Sequence, residues 1–140
     1  MWSYETTLQW TGANIGVERT TSRPDIIVCP PAEFGGKEDT WNPELMLVAA
    51  IESCMLLTSL SVASRQSIIF KGYTSKAVGR MAKTPEGLRF QDAVIDVTLT
   101  VAAGTDEAKA AQIVKTAEKY CPVSNAVNFP VTVNVHVQIE

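Results

Sequence analysis

Two thiols carry the clearest chemistry in this chain. Cys54 lies inside a long apolar run, residues 45–63, and Cys121 lies in the word Tyr120-Cys121-Pro122-Val123-Ser124-Asn125. A thiol in a dry helix and a second thiol at a helix-to-turn boundary can form a redox pair, in which one sulfur is oxidised and the other condenses with it to a disulfide. Each residue also has a plainer reading. Cysteine is often a small buried hydrophobe, which would suit Cys54 among Met55, Leu56 and Leu57. Cys121 precedes Pro122 at what reads as the N-cap of a short helix through Ser124 and Asn125, where backbone N–H groups would favour its thiolate. Its plainer reading is a cap or turn residue, with Ser124 bonding the local backbone. Cys29, in Ile26-Ile27-Val28-Cys29, reads as a strand residue. No pair among Cys29, Cys54, Cys121 and His136 has the short spacing of a structural zinc site, so neither a metal nor any other cofactor is expected. His136 alternates with Asn134 and Gln138 on the polar face of a strand and reads as solvated.

The elements that hold these thiols follow from periodicity and capping. Residues 4–10 alternate as a half-buried strand, residues 11–14 read as a turn, and shorter strands are expected over 16–20 and 25–29. Residues 30–41, with Pro30-Pro31 and Gly35-Gly36, predict a loop in which no helix or strand settles. Asn42 is a good N-cap, Pro43 suits the first turn and Glu44 complements the positive helix end, so a helix starts near Pro43. Strands over 68–83 and 88–101 are joined by the turn Thr84-Pro85-Glu86-Gly87, the second placing Ala93, Ile95, Val97, Leu99 and Val101 inward. Thr105 is read as the cap of a second helix that ends before Pro122, with Ala108, Ala111, Ile113, Val114 and Ala117 as its apolar stripe. Val131, Val133, Val135, Val137 and Ile139 mark a last strand.

The first helix is apolar nearly all round, interrupted by Glu52 and small hydroxyl residues. A run of that length could span a bilayer, but Glu52 sits in its middle and the rest of the chain is an ordinary soluble mixture, so membrane insertion is not expected. A helix apolar on every side must be covered on every side. One small sheet covers only one side, which predicts a homodimer. Glu44 lies ten positions before Cys54, about 15 Å along one helix axis, so it cannot touch the thiol of its own helix, whereas antiparallel packing of two copies would bring it toward the partner's. Glu52 points about 200° away from Cys54 and reads as a partly buried carboxylate bonded to a backbone donor or a basic side chain.

Composition narrows the function classes. With 140 residues, 46% of them hydrophobic, the chain is long enough for one domain with a real core, and a single domain over 1–140 is expected. A formal charge of −3, without any cluster of Lys or Arg, excludes the electrostatic footprint of a nucleic-acid binder. Met1-Trp2-Ser3-Tyr4-Glu5 carries no basic region before an apolar segment, and three cysteines do not make a disulfide scaffold. Both point to the reducing cytoplasm.

The loop word Phe34-Gly35-Gly36, the opening Asn42-Pro43-Glu44-Leu45, the helical Cys54, the hairpin, the segment 118–125 and the Val-rich last strand together resemble the OsmC/Ohr family of thiol-dependent hydroperoxide reductases. The resemblance implies an α+β fold of the OsmC-like kind: an intertwined homodimer with two central helices wrapped by antiparallel sheets. It implies that Cys54 is the peroxidatic residue and Cys121 the resolving one, with organic hydroperoxides as substrates, hydrogen peroxide as a second candidate, and an external dithiol, of lipoyl type among others, as reductant. It also implies an arginine beside the helical thiol, held by the helix-opening glutamate. Glu44 matches the glutamate; Arg19, in the second strand, is favoured for the arginine over Arg23 next to Pro24. Met55 and Glu52 depart from commoner members around the cysteine. The rival reading is a non-catalytic ligand-binding or redox-sensing module on the same fold.

Overall fold

Period-2 patterning sets the amino-terminal strands, Thr7–Gly12 (β1), Ile15–Arg19 (β2) and Ile26–Val28 (β3), which pair antiparallel in the order β1-β2-β3. The computed structural model describes residues 1–140 and divides them into two units, Met1–Leu47 and Val48–Glu140. In the first unit the strand begins at Thr7 rather than at Tyr4, because Thr7 pairs with Arg19, the last residue of β2, and beyond it the Thr20 side chain, not a strand backbone, bonds the Glu5 carbonyl at 2.9 Å. Ala13, at φ 47°, makes the hairpin turn, and the Trp10 indole N–H donates to its carbonyl at 2.8 Å.

The loop expectation over 30–41 needs one correction. A single 3₁₀ turn, Ala32–Phe34, settles inside it. The Pro31 carbonyl accepts from the N–H groups of Phe34 at 2.9 Å and Gly36 at 3.0 Å, and Gly35 reverses the chain at φ 89°. Gly36 is needed for a different reason: a Cβ there would collide with the Pro30 carbonyl, 2.5 Å from its carbon, and meet Cys29 Sγ at 3.2 Å. The loop ends at Asn42, whose side-chain oxygen accepts from Leu45 N–H at 2.8 Å and caps the helix Pro43–Arg65 (α1) as its sequence predicts.

In the second unit, Phe70–Thr84 (β4) and Gly87–Val101 (β5) form the expected hairpin, and Val131–Ile139 (β6) pairs with β5. Glu107–Tyr120 (α2) connects β5 to β6. The β5–β6 pairing is parallel, so this sheet is mixed, which corrects the expectation of purely antiparallel sheets. The physical reason is the connection: a helix between two neighbouring strands returns the chain to the end where it started. The core is built on β5, whose Ala93, Ile95, Val97, Leu99 and Val101 are all buried, with Val133 of β6 and Ala110, Ile113, Val114 and Ala117 of α2. Ala110 replaces Ala108 in the expected stripe, since Ala108 is exposed. The cap of α2 is Asp106 rather than Thr105; its carboxylate accepts from Lys109 N–H at 3.1 Å.

Within this unit α1 buries Ile51, Met55, Ser59, Val62 and Ala63, one stripe at three- and four-residue spacing. Its close approach to β4 is set by Gly79, where a Cβ would lie 2.7 Å from a Val48 methyl and 3.0 Å from the Phe90 ring. One turn further along, Glu52 accepts from the Ser75 hydroxyl at 2.6 Å, a side-chain hydroxyl rather than the expected backbone or basic donor. The opposite face stays open: Leu57 is 64% and Leu60 42% exposed. By length and composition α1 is apolar enough to cross a membrane, and only 22% of its most apolar window is buried in the chain.

Candidate thiol site

Cys54 sits mid-helix in α1, half-buried, and Cys121 is the residue at which α2 stops, fully buried. Cys121 therefore ends a long helix rather than capping a short one, correcting the reading of it as an N-cap: the following 3₁₀ turn, Ser124–Ala126, has Val123 at its N-cap. Pro122 cannot continue α2, so the chain folds back on itself. The Cys121 carbonyl accepts from Asn125 N–H at 3.1 Å and from the Ser124 hydroxyl at 3.3 Å, and the Asn125 side chain donates to the Lys119 carbonyl at 3.1 Å. The amides of this turn favour ionised sulfur, Val123 at both thiols and Ser124 at Cys121.

The two thiols, one on each helix, are both free and lie close enough for each to perturb the other's ionisation. They consequently lose protons as a pair. Burial raises both, but the outcome differs. At Cys121 the Ser124 hydroxyl, the Cys54 thiol and the Ser124 and Val123 amides outweigh burial and hold the thiol below its ordinary value. At Cys54 burial and the neighbouring Cys121 charge raise the thiol, against the Val123 amide and the Thr58 hydroxyl, which lies 3.8 Å from Sγ. Of the two sulfurs, Cys121 is the one whose ionised form its surroundings favour.

The remaining predicted residues lie in the first unit. Arg19 closes β2, its Nε donating to Asp25 at 3.0 Å and its Nη1 to Gln9 at 3.0 Å; it is not bonded to Glu44. Arg23 donates to the carbonyl of Thr21 in its own turn, as a turn residue should. Glu44 stands at the start of α1 beside an apolar cavity of about 510 Å³ whose walls include Leu8, Trp10, Val28 and Phe34, and its Oε2 is buried without a hydrogen-bond partner. An unpartnered carboxylate oxygen in apolar surroundings is costly and calls for a cation. Cys29 borders the same cavity just past β3, its sulfur accepting from Lys37 N–H at 3.3 Å, so it is a buried loop residue rather than a strand residue. His136 is exposed on β6, and no three His, Cys, Asp or Glu side chains converge as a metal site would require.

Sequence reasoning passed over Thr58 and Tyr73. Thr58 is one helical turn past Cys54, a spacing that could have flagged it. Tyr73 on β4 gave no signal: its hydroxyl is buried without a partner, and burial plus the Glu52 charge push its phenol up to about 12.

Solved structures share this architecture along the whole chain. An OsmC-like protein of unknown function from Vibrio cholerae superposes with a TM-score of 0.88 at 19% identity, over 97% of this chain and 100% of its own. An organic hydroperoxide resistance protein from Legionella pneumophila superposes at 0.76 with 25% identity, over 99% of each chain. The organic hydroperoxide resistance protein OhrB of Bacillus subtilis does so at 0.70 with 21% identity, over 98% of each. No curated protein matches the sequence. The OsmC-like protein family itself matches residues 36–136, a span that runs from the Gly36 contact through both cysteines to β6. With most of its length matched and its fold shared, the chain belongs to the OsmC-like protein family.

Proposed function

We propose that this protein is a cysteine-based peroxidase that reduces organic hydroperoxides, and hydrogen peroxide as a second substrate. The observation that carries the reading is the juxtaposition of Cys54 and Cys121, two free thiols on separate helices near enough for each to perturb the other's ionisation. The Legionella and Bacillus proteins of this fold are hydroperoxide resistance proteins, which supports the reading.

The Cys54 thiolate attacks one oxygen of the hydroperoxide. The O–O bond breaks, Cys54 becomes a sulfenic acid, and the departing alkoxide takes a proton to leave as an alcohol. The Cys121 thiolate then attacks the Cys54 sulfur and displaces hydroxide, which leaves as water, forming the Cys54–Cys121 disulfide. An external dithiol, a lipoyl group being one candidate, supplies the two electrons that return both thiols.

Attack requires charge on Cys54, yet the neutral groups around the pair favour charge on Cys121. A guanidinium beside Cys54 reverses that balance. We assign this role to Arg19, with the orphaned Glu44 oxygen as its anchor, acting on the thiol of the partner subunit; the Nη2 of Arg19 makes no hydrogen bond within the chain and is free for it. The homodimer this requires also covers the open α1 face around Leu57 and Leu60, which a bilayer would otherwise have to cover. Both units then act as one domain, in the cytoplasm, where thiols stay reduced between turnovers.

Stopped-flow consumption of an alkyl hydroperoxide tests the assignment. Cys54→Ser abolishes it, and Cys121→Ser permits one oxidation without turnover. Wild-type consumption by Cys54→Ser, or a wild-type chain that binds but never reduces a peroxide, favours the ligand-binding or sensing alternative.

A further inference from the structure

We propose that Thr58 is a positioning residue that holds the Cys54 sulfur and stabilises its thiolate; this rests on Cys54 being the sulfur that must ionise. Serine and threonine inside a helix ordinarily turn the hydroxyl back to a carbonyl three or four residues earlier. Ser53 in the same helix does so, donating to the Ala50 carbonyl at 3.3 Å. Thr58 does not. Its one hydrogen-bond contact is with Cys54 Sγ at 3.8 Å, one turn back on the same face, and the side chain is half-buried.

The Thr58 hydroxyl has two options toward this sulfur. It can accept from the protonated thiol or donate to the thiolate, and only the second is charge-assisted, so it favours ionisation. The Val123 amide acts on the same sulfur in the same sense, lowering its pKa as Thr58 does. Thr58 belongs to α1, so its aim is set by helix geometry and survives movement of the turn carrying Cys121. When Cys121 is drawn onto the Cys54 sulfenic acid, or released from Cys54 as the disulfide is reduced, the Thr58 contact keeps the Cys54 side chain in place.

Alkylation of Cys54 by iodoacetamide across pH 5 to 10, in full-length Cys29→Ser/Cys121→Ser protein where Cys54 is the only thiol, reads this directly. Thr58→Val keeps the shape and removes the donor. It should move the midpoint of the rate profile upward and slow alkylation at neutral pH roughly three- to tenfold, the worth of one hydrogen bond. Thr58→Ser restores the hydroxyl and should return the profile to that of the parent. An unchanged midpoint in Thr58→Val overturns the proposal, and so does an equal shift in Thr58→Ser, which would trace the effect to the methyl group. Thr58→Ala serves if valine is not accommodated. The assay uses no peroxide, so a wild-type protein inert to hydroperoxide would overturn the peroxidase reading while the alkylation profile still decides for or against Thr58.

Discussion

Gly35 and Gly36 are neighbours in one loop and are both required, for opposite reasons that substitution can separate. At Gly35 a Cβ meets nothing within 4 Å, but φ is +89°, so alanine is strained by its backbone alone. That costs about 1–2 kcal/mol. At Gly36 φ is ordinary and the obstacle is steric: a Cβ collides with the carbonyl of Pro30, 2.5 Å from its carbon and 3.2 Å from Cys29 Sγ. A backbone carbonyl fixed by a proline ring cannot swing aside as a side chain can. Relief requires the segment after β3 to move, so Gly36→Ala should cost more than the usual 1–3 kcal/mol of overpacking, about 3 kcal/mol or above. Urea unfolding followed by tryptophan emission measures both, since Trp10 and Trp41 flank the loop in the first unit. Native-state reaction of Cys29 with a thiol reagent adds a local readout, because the clash loosens the packing that keeps that sulfur 4% exposed. Gly36→Ala within about 1 kcal/mol of wild type, or milder than Gly35→Ala, would refute the reasoning.

Asn42→Ala removes the bond to Leu45 N–H at the start of α1 and should destabilise by about 1 kcal/mol, checked by urea denaturation, with Asn42→Asp keeping most of the wild-type stability. Ser124→Ala removes the first donor that holds the Cys121 thiol down, so the pH midpoint of Cys121 alkylation should rise in a Cys29→Ser/Cys54→Ser background; a fall or no change contradicts the assigned cause. Tyr73 is raised from 10.0 to about 12, so the folded state keeps a proton that the unfolded chain loses, and stability falls as pH rises from 10 toward 12. Absorbance of tyrosinate should show a late step that disappears in Tyr73→Phe and moves to lower pH in Glu52→Gln.

Local patterning carried far because the elements here obey local rules. Alternation in β5 marks the same inward residues that are buried, and the Asn42-Pro43-Glu44 opening starts α1 where a capping side chain and a proline allow it. Two of the errors are one residue's choice between equivalent neighbours. Thr105 and Asp106 can both cap a helix, and only the chain path after Gly104 selects Asp106. Cys121 can end one helix or begin the next, and the side on which Pro122 falls is compatible with both.

The sequence by itself determined that two cysteines lie in the right words, that one helix carries more apolar surface than a small chain covers, and that the family is OsmC-like, because residue type and spacing along a continuous backbone are all those statements need. Only the tertiary structure decided what faces each sulfur. The Val123 amide beside Cys54, 69 positions along the chain, and the mutual influence of the two thiols depend on how α1 and the end of α2 meet. Long-range placement of this kind is fixed by which apolar faces can be buried together, and no local rule of spacing encodes it.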